Sequence, residues 1–168
     1  MFEEMPELSY IQQSPDIMQS LFAPDVLIND GDVIKFGNTE ISFYLVPGHT
    51  LGTIACFFDI CDEEQGTKRA GYFGGFGFNT LTKEYLTEIG DVRFSHREQF
   101  LNSLKKVRDQ KVEVFLVNHT INNQTVEKRE LMKKAPGYNP FVNSQGWAEY
   151  LDVKRDAFIE FMNDPSNS

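Results

Sequence analysis

Apolar and polar positions alternate with a two-residue period in the first half of this chain and with a helical period in the second. Asp32 to Phe36 and Glu40 to Val46 flank Gly37-Asn38, which predicts a β-hairpin whose second strand puts Ile41, Phe43 and Leu45 on one face. The run Thr53 to Ile60 is almost continuously apolar, the pattern of a strand buried on both sides. Charged Asp62 to Arg69 reads as the next turn, and Ala70 to Phe73 leads into the loop GGFGFNT. Upstream, Ser14-Pro15-Asp16 sets a cap and a first-turn proline, predicting a short helix that Pro24 closes.

Helical spacing takes over after residue 90. Ser95-His96-Arg97-Glu98 reads as a capping box, and Phe100, Leu101, Leu104 and Val107 make one apolar stripe behind it. Lys111 to Val117 is a predicted strand, with Asn118-His119 at its carboxyl end. A helix from about Val126 to Lys134 stops at Pro136-Gly137. The last helix is expected from Gln145 to Met162, packing through Trp147, Leu151, Phe158, Phe161 and Met162, with Trp147 buried. Strands first and alternating helix and strand afterwards predict a layered α/β sandwich. No repeat or low-complexity linker divides it, so residues 1–168 read as a single domain.

Composition narrows the function classes. Aromatics make up 13% of the chain and phenylalanine alone occurs 15 times, which supports a packed core. A net charge of -9 argues against a nucleic-acid partner, which needs concentrated Lys and Arg. The small basic groups at Lys105, Lys106 and Arg108 and at Lys128, Arg129, Lys133 and Lys134 read as solvated helix faces. No apolar run reaches membrane-spanning length, and the acidic start MFEEMPELSY is unlike a signal peptide. Cys56 and Cys61 should point to opposite faces of one strand, so neither a disulfide nor a zinc pair is expected between them. A reducing, cytoplasmic setting fits, any export signal having to lie upstream of Met1.

Candidate chemistry begins at LVPGHTLGT. Pro47 fixes φ and Gly48 permits a bend, so the backbone direction at His49 is closely set at the end of a strand. A lone turn histidine is ordinarily a satisfied hydrogen-bonding group. However, His119 also falls just beyond a strand end, so two of the chain's three histidines share this placement. The third, His96, lies in the first turn of a helix and is expected to face solvent.

INDGDVIKFGNTEISFYLVPGHTLGT resembles the middle of the metallo-β-lactamase fold superfamily, where an acidic-Gly hairpin and a strand precede a Pro-Gly-His-Thr turn carrying a zinc ligand. The capped helix from Ser95, the strand VEVFLV, His119, the Asn-Pro-Phe element and the long last helix continue the likeness. In this order the chain is similar to the third metallo-β-lactamase subclass, from about Ile17 onward. The resemblance implies an αββα sandwich of which this chain is an incomplete, C-terminal portion.

The resemblance also implies roles. His49 matches the third histidine ligand of the first zinc site, and His119 the histidine ligand of the second. Neutral imidazoles suit zinc that keeps an open position, whose bound water attacks a polarised carbonyl. Asn79, in the loop after GGFG, is a candidate substrate-binding residue. The family's His-x-His-x-Asp-His signature, which supplies the remaining ligands of both ions, does not occur in this chain. Nor does the GGFG loop carry the bridging aspartate or the cysteine ligand of other branches.

Two function classes follow. One is the C-terminal part of a zinc hydrolase acting on a small-molecule substrate, for which the resemblance suggests a β-lactam, that binds zinc weakly and is inactive as this chain alone. The other is a non-catalytic truncated module. Either leaves an apolar sheet face that calls for a second copy of the chain or a complementary N-terminal chain. The fold also hosts lactonases, thioesterases and nucleases, so it does not name the substrate.

Overall fold

In the computed structural model, which describes residues 24–62 and 66–167, the hairpin around Gly37-Asn38 forms as the alternation predicts. Val33–Phe36 (β1) pairs antiparallel with Thr39–Leu45 (β2), and Gly37 takes φ +62°, the left-handed conformation that such a two-residue turn needs. The helix expected from Ser14 to Pro24 lies outside the described residues.

Ile54–Asp62 (β3) and Gly66–Phe73 (β4) continue the antiparallel meander, and Val114–Leu116 (β5) joins β4 in parallel. The order is β1-β2-β3-β4-β5. Two antiparallel steps and one parallel step make β2, β4 and β5 run the same way. Their carboxyl ends therefore share one edge, and that edge positions the candidate site.

Three sequence expectations need correction here. The charged turn is shorter than Asp62 to Arg69, because Lys68 and Arg69 are already in β4. Their charges are met across the sheet: Arg69 Nη1 lies 3.1 Å from Asp59 Oδ1, and Lys68 Nζ lies 3.6 Å from Glu113 Oε1. The second correction concerns β3. Thr53, Ala55 and Phe57 are buried, whereas Ile54, Cys56, Phe58 and Ile60 are partly exposed. Among the described residues helices cover only one face, so there the apolar run is half covered. The strand expected from Lys111 is likewise reduced to three residues, the stretch that pairs with β4.

Helices Lys83–Glu88 (α1), Ser95–Val107 (α2), Thr125–Lys134 (α3) and Gly146–Asn163 (α4) follow the sheet, with a 3-10 turn at Asn79–Leu81. The stripes of α2 and α4 meet β3, β4 and β5 in one core of Phe57, Phe73, Phe100, Leu104, Trp147, Leu151 and Phe158. Trp147 is 1% exposed, as its place in the helical stripe predicts. Its ring stands edge-on to Phe57 and Phe115, and its Nε1 donates to Val107 O at 2.8 Å, tying α4 to the end of α2. No helix among the described residues is long and apolar enough to cross a membrane.

The start of α2 departs from the capping-box expectation. Ser95 makes no cap of its own; Asp91, four residues earlier, accepts from Ser95 N and Oγ and from His96 N and Nδ1, the last at 2.6 Å. His96 is therefore a mostly buried partner of Asp91, 13% exposed, rather than a solvent-facing side chain. Burial pushes the Asp91 carboxyl up, but the hydrogen bonds from His96 and Ser95 outweigh it and hold the group well below the usual carboxylate range. A carboxylate depressed in the folded state adds stability that is complete above its unfolded pKa, about 3.9, and is lost as pH falls below that. Asp91→Asn should lower stability near neutral pH by about 1–2 kcal/mol, the usual cost of a lost cap. It should also flatten the acid limb of a stability-versus-pH curve, measured by urea unfolding from pH 3 to 7. An unchanged acid limb would show that Asp91 does not anchor α2.

Candidate functional site

The chain leaves β2 at Leu45 and turns through Pro47-Gly48 into His49. This turn is held from outside by one stripe of α2, at residues 100, 103 and 106. Gly48, at φ +141°, lies directly on the backbone of Phe100. Ser103 Oγ donates to Pro47 O at 2.7 Å, and Lys106 Nζ donates to Leu45 O at 2.9 Å and pairs with Asp30 at 2.6 Å. From inside, Thr53 Oγ1 accepts from Thr50 N at 3.0 Å and Val46 N donates to Thr53 O at 2.8 Å. The Thr-x-Gly-Thr tail of the motif thus closes the turn.

The His49 ring rests in a cradle made by the loop after β4. Its Nδ1 lies 2.9 Å from Gly77 O and 3.1 Å from Thr80 Oγ1. The Thr80 hydroxyl donates to His49 O at 2.5 Å, so its proton is used there. A carbonyl oxygen only accepts, so Nδ1 carries a proton, and in the neutral ring Nε2 is the nitrogen with the lone pair. That is the tautomer in which a metal-ligating histidine is ordinarily held by a second-layer carbonyl. Gly75 completes the cradle, since a Cβ there would come within 2.1 Å of His49 Cδ2.

His119 arrives at the same edge from β5. Asn118, its neighbour, donates from Nδ2 to Gly74 O at 3.2 Å, so the loop that cradles His49 also anchors the turn bearing His119. His119 itself is exposed, and its carbonyl accepts from Asn122 N at 3.0 Å. Asn79 is exposed at the start of the 3-10 turn, with its Oδ1 against Gly77. All three sequence-derived candidates therefore belong to segments that meet at the GGFGFNT loop. Sequence reasoning missed Thr80 and the roles of Gly75 and Gly77. The one signal for them was glycine spacing in that loop, which marks close approach without saying of what.

Among the described residues, no three His, Cys, Asp or Glu side chains are grouped so as to hold a metal ion. The donor at His49 suits zinc in kind and orientation, but the ligand number falls short of a zinc site. Cys56 and Cys61 are both free thiols, and burial raises the pKa of Cys56.

The sheet and its helical cover match about half of the metallo-β-lactamase fold. The chain is similar to solved subclass B3 enzymes: BJP-1 of Bradyrhizobium japonicum, at 20% identity and a TM-score of 0.68, over 82% of this chain and 50% of that one. Native FEZ-1 of Legionella gormanii matches at 24% identity and a TM-score of 0.68, over 84% and 52%. The di-zinc enzyme LRA-12 from an Alaskan soil metagenome matches at 23% and 0.66, over 88% and 53%. The chain thus spans about half the length of the structures it matches. No family model matches the sequence, and no curated protein is significantly similar to it.

Proposed function

We propose that this chain is the C-terminal portion of a zinc-dependent, metallo-β-lactamase-like hydrolase. His49 serves one zinc ion and His119 a second, and the other ligands come from a His-x-His-x-Asp-His segment outside these 168 residues. The observation that carries the reading is the state of His49, with Nδ1–H given to Gly77 O and Nε2 free at the edge that β5 delivers His119 to. Zinc, when bound in such sites, supplies Lewis acidity and an acidified water. What this chain supplies is orientation: the α2 stripe fixes the turn, Gly75 and Thr80 fix the ring, and Asn79 stands exposed for a substrate's polar group.

The completing segment also covers the partly exposed face of Phe43, Cys56 and Phe58. A second copy of this chain would cover the same face but could not restore the signature, which both copies lack.

Nuclear magnetic resonance of the isolated chain tests the assignment. Zinc should perturb the His49 and His119 rings, and only at concentrations on the order of millimolar, because one imidazole per ion leaves most positions to water. Perturbation centred elsewhere would overturn the assignment.

A further inference from the structure

Beyond the β5 strand, the loop after His119, α3, the turn at Phe141 and the start of α4 line an open pocket of about 420 Å³. That volume lies in the range of small-ligand sites, which combine an apolar lining with a few polar groups. Beside Ile121 and Val153 the apolar lining is aromatic: Phe115, Phe141 and Tyr150, with the Phe115 and Tyr150 centroids 5.0 Å apart. One wall is stapled in place, because Asn123 Nδ2 donates to Phe115 O at 2.9 Å and the Thr125 hydroxyl donates to Asn123 Oδ1.

Two formal charges of opposite sign also line the pocket. Lys128 holds its Nζ 5.7 Å from the centre of the Phe141 ring, and Glu149 lies on α4. Among the described residues neither charged group has an ion-pair or hydrogen-bond partner, and the two do not pair with each other. Burial lowers the Lys128 pKa, the direction for an ammonium group losing water without gaining a counter-ion. Lys128 is partly buried and Glu149 exposed at the pocket mouth, and a ligand with one charge would answer only one of them. A ligand with both would answer both, while a flat ring packs on the aromatic floor.

We propose that this pocket binds a free aromatic α-amino acid, its carboxylate on Lys128, its ammonium on Glu149 and its ring against Phe115, Phe141 and Tyr150. The site adjoins the turn that bears His119, through Asn122, but neither His49 nor His119 lines it, so its test is independent of the zinc reading.

The test is calorimetric titration of the full chain with L-phenylalanine, 3-phenylpropionate and phenethylamine. The last two probes keep the ring and one charge each. L-Phenylalanine should bind at least about tenfold more tightly than either, since each charge-assisted contact is worth about 1.5–3 kcal/mol. Lys128→Met should erase its advantage over phenethylamine and Glu149→Gln its advantage over 3-phenylpropionate, with circular dichroism confirming that both variants fold. Equal binding of all three probes, or no binding of L-phenylalanine up to its solubility limit, would overturn the proposal.

Discussion

Gly48→Ala is expected to cost more than about 4 kcal/mol, the range reached only by a few severe mechanisms, two of which act here together. At φ +141° the residue sits where L side chains are strained. The new Cβ would also lie 2.5 Å from Phe100 Cα and Cβ and 2.7 Å from its N. These are atoms of a helix that Ser103, Lys106, Asp91 and Trp147 fix in place, so they cannot swing aside as a side-chain tip could. Gly37→Ala is the control: its φ is also positive, +62°, but nothing lies within 4 Å, so it should cost only about 1–2 kcal/mol of left-handed strain. Urea midpoints of the two variants give the comparison. If they coincide, α2 does not clamp the histidine turn in the way its contacts imply.

That clamp shows what the chain's sequence makes visible and what it hides. The Gly37-Asn38 hairpin, the Phe100–Val107 stripe and the Pro47-Gly48 bend are local patterns, each set by residues within one or two turns of one another. The place of His49 at a strand end was legible for the same reason. Its cradle was not, because Gly77 O is 28 positions away and comes to the ring only through two strand pairings, β2 with β3 and β3 with β4. The start of α2 was misread for a smaller version of this reason. Ser95 and Glu98 have capping-box spacing, yet Asp91 reaches forward from before the helix and takes the Ser95 amide that Glu98 would have capped, together with that of His96. The face of β3 was misread because a continuous apolar run looks alike whether both faces of its strand are covered or only one is.

Gly75→Ala should separate the ring's orientation from the fold. Unlike Gly48, Gly75 shows no positive φ, so alanine is tolerated by the backbone there. Its Cβ would meet only side-chain atoms, 2.1 Å from His49 Cδ2 and 3.1 Å from Nε2. The imidazole must rotate away, which breaks the Nδ1–Gly77 bond and releases the tautomer. We expect a modest stability loss, a shift of the His49 ring nitrogens in ¹⁵N spectra, and a 10- to 100-fold drop in zinc affinity of the completed assembly, about the range for disturbed outer-layer partners. Thr80→Val should move the same ring signals in the same direction by a smaller amount. Unmoved His49 signals in Gly75→Ala would remove the cradle from the account.

The most direct measurement of the central claim is calorimetric titration of zinc into this chain alone and into an equimolar mixture with a segment bearing His-x-His-x-Asp-His. The account predicts weak binding by the chain alone and tight binding of two zinc ions per complex in the mixture, largely lost in His49→Ala and in His119→Ala. Tight stoichiometric binding by the chain alone, unaffected by either substitution, would contradict it.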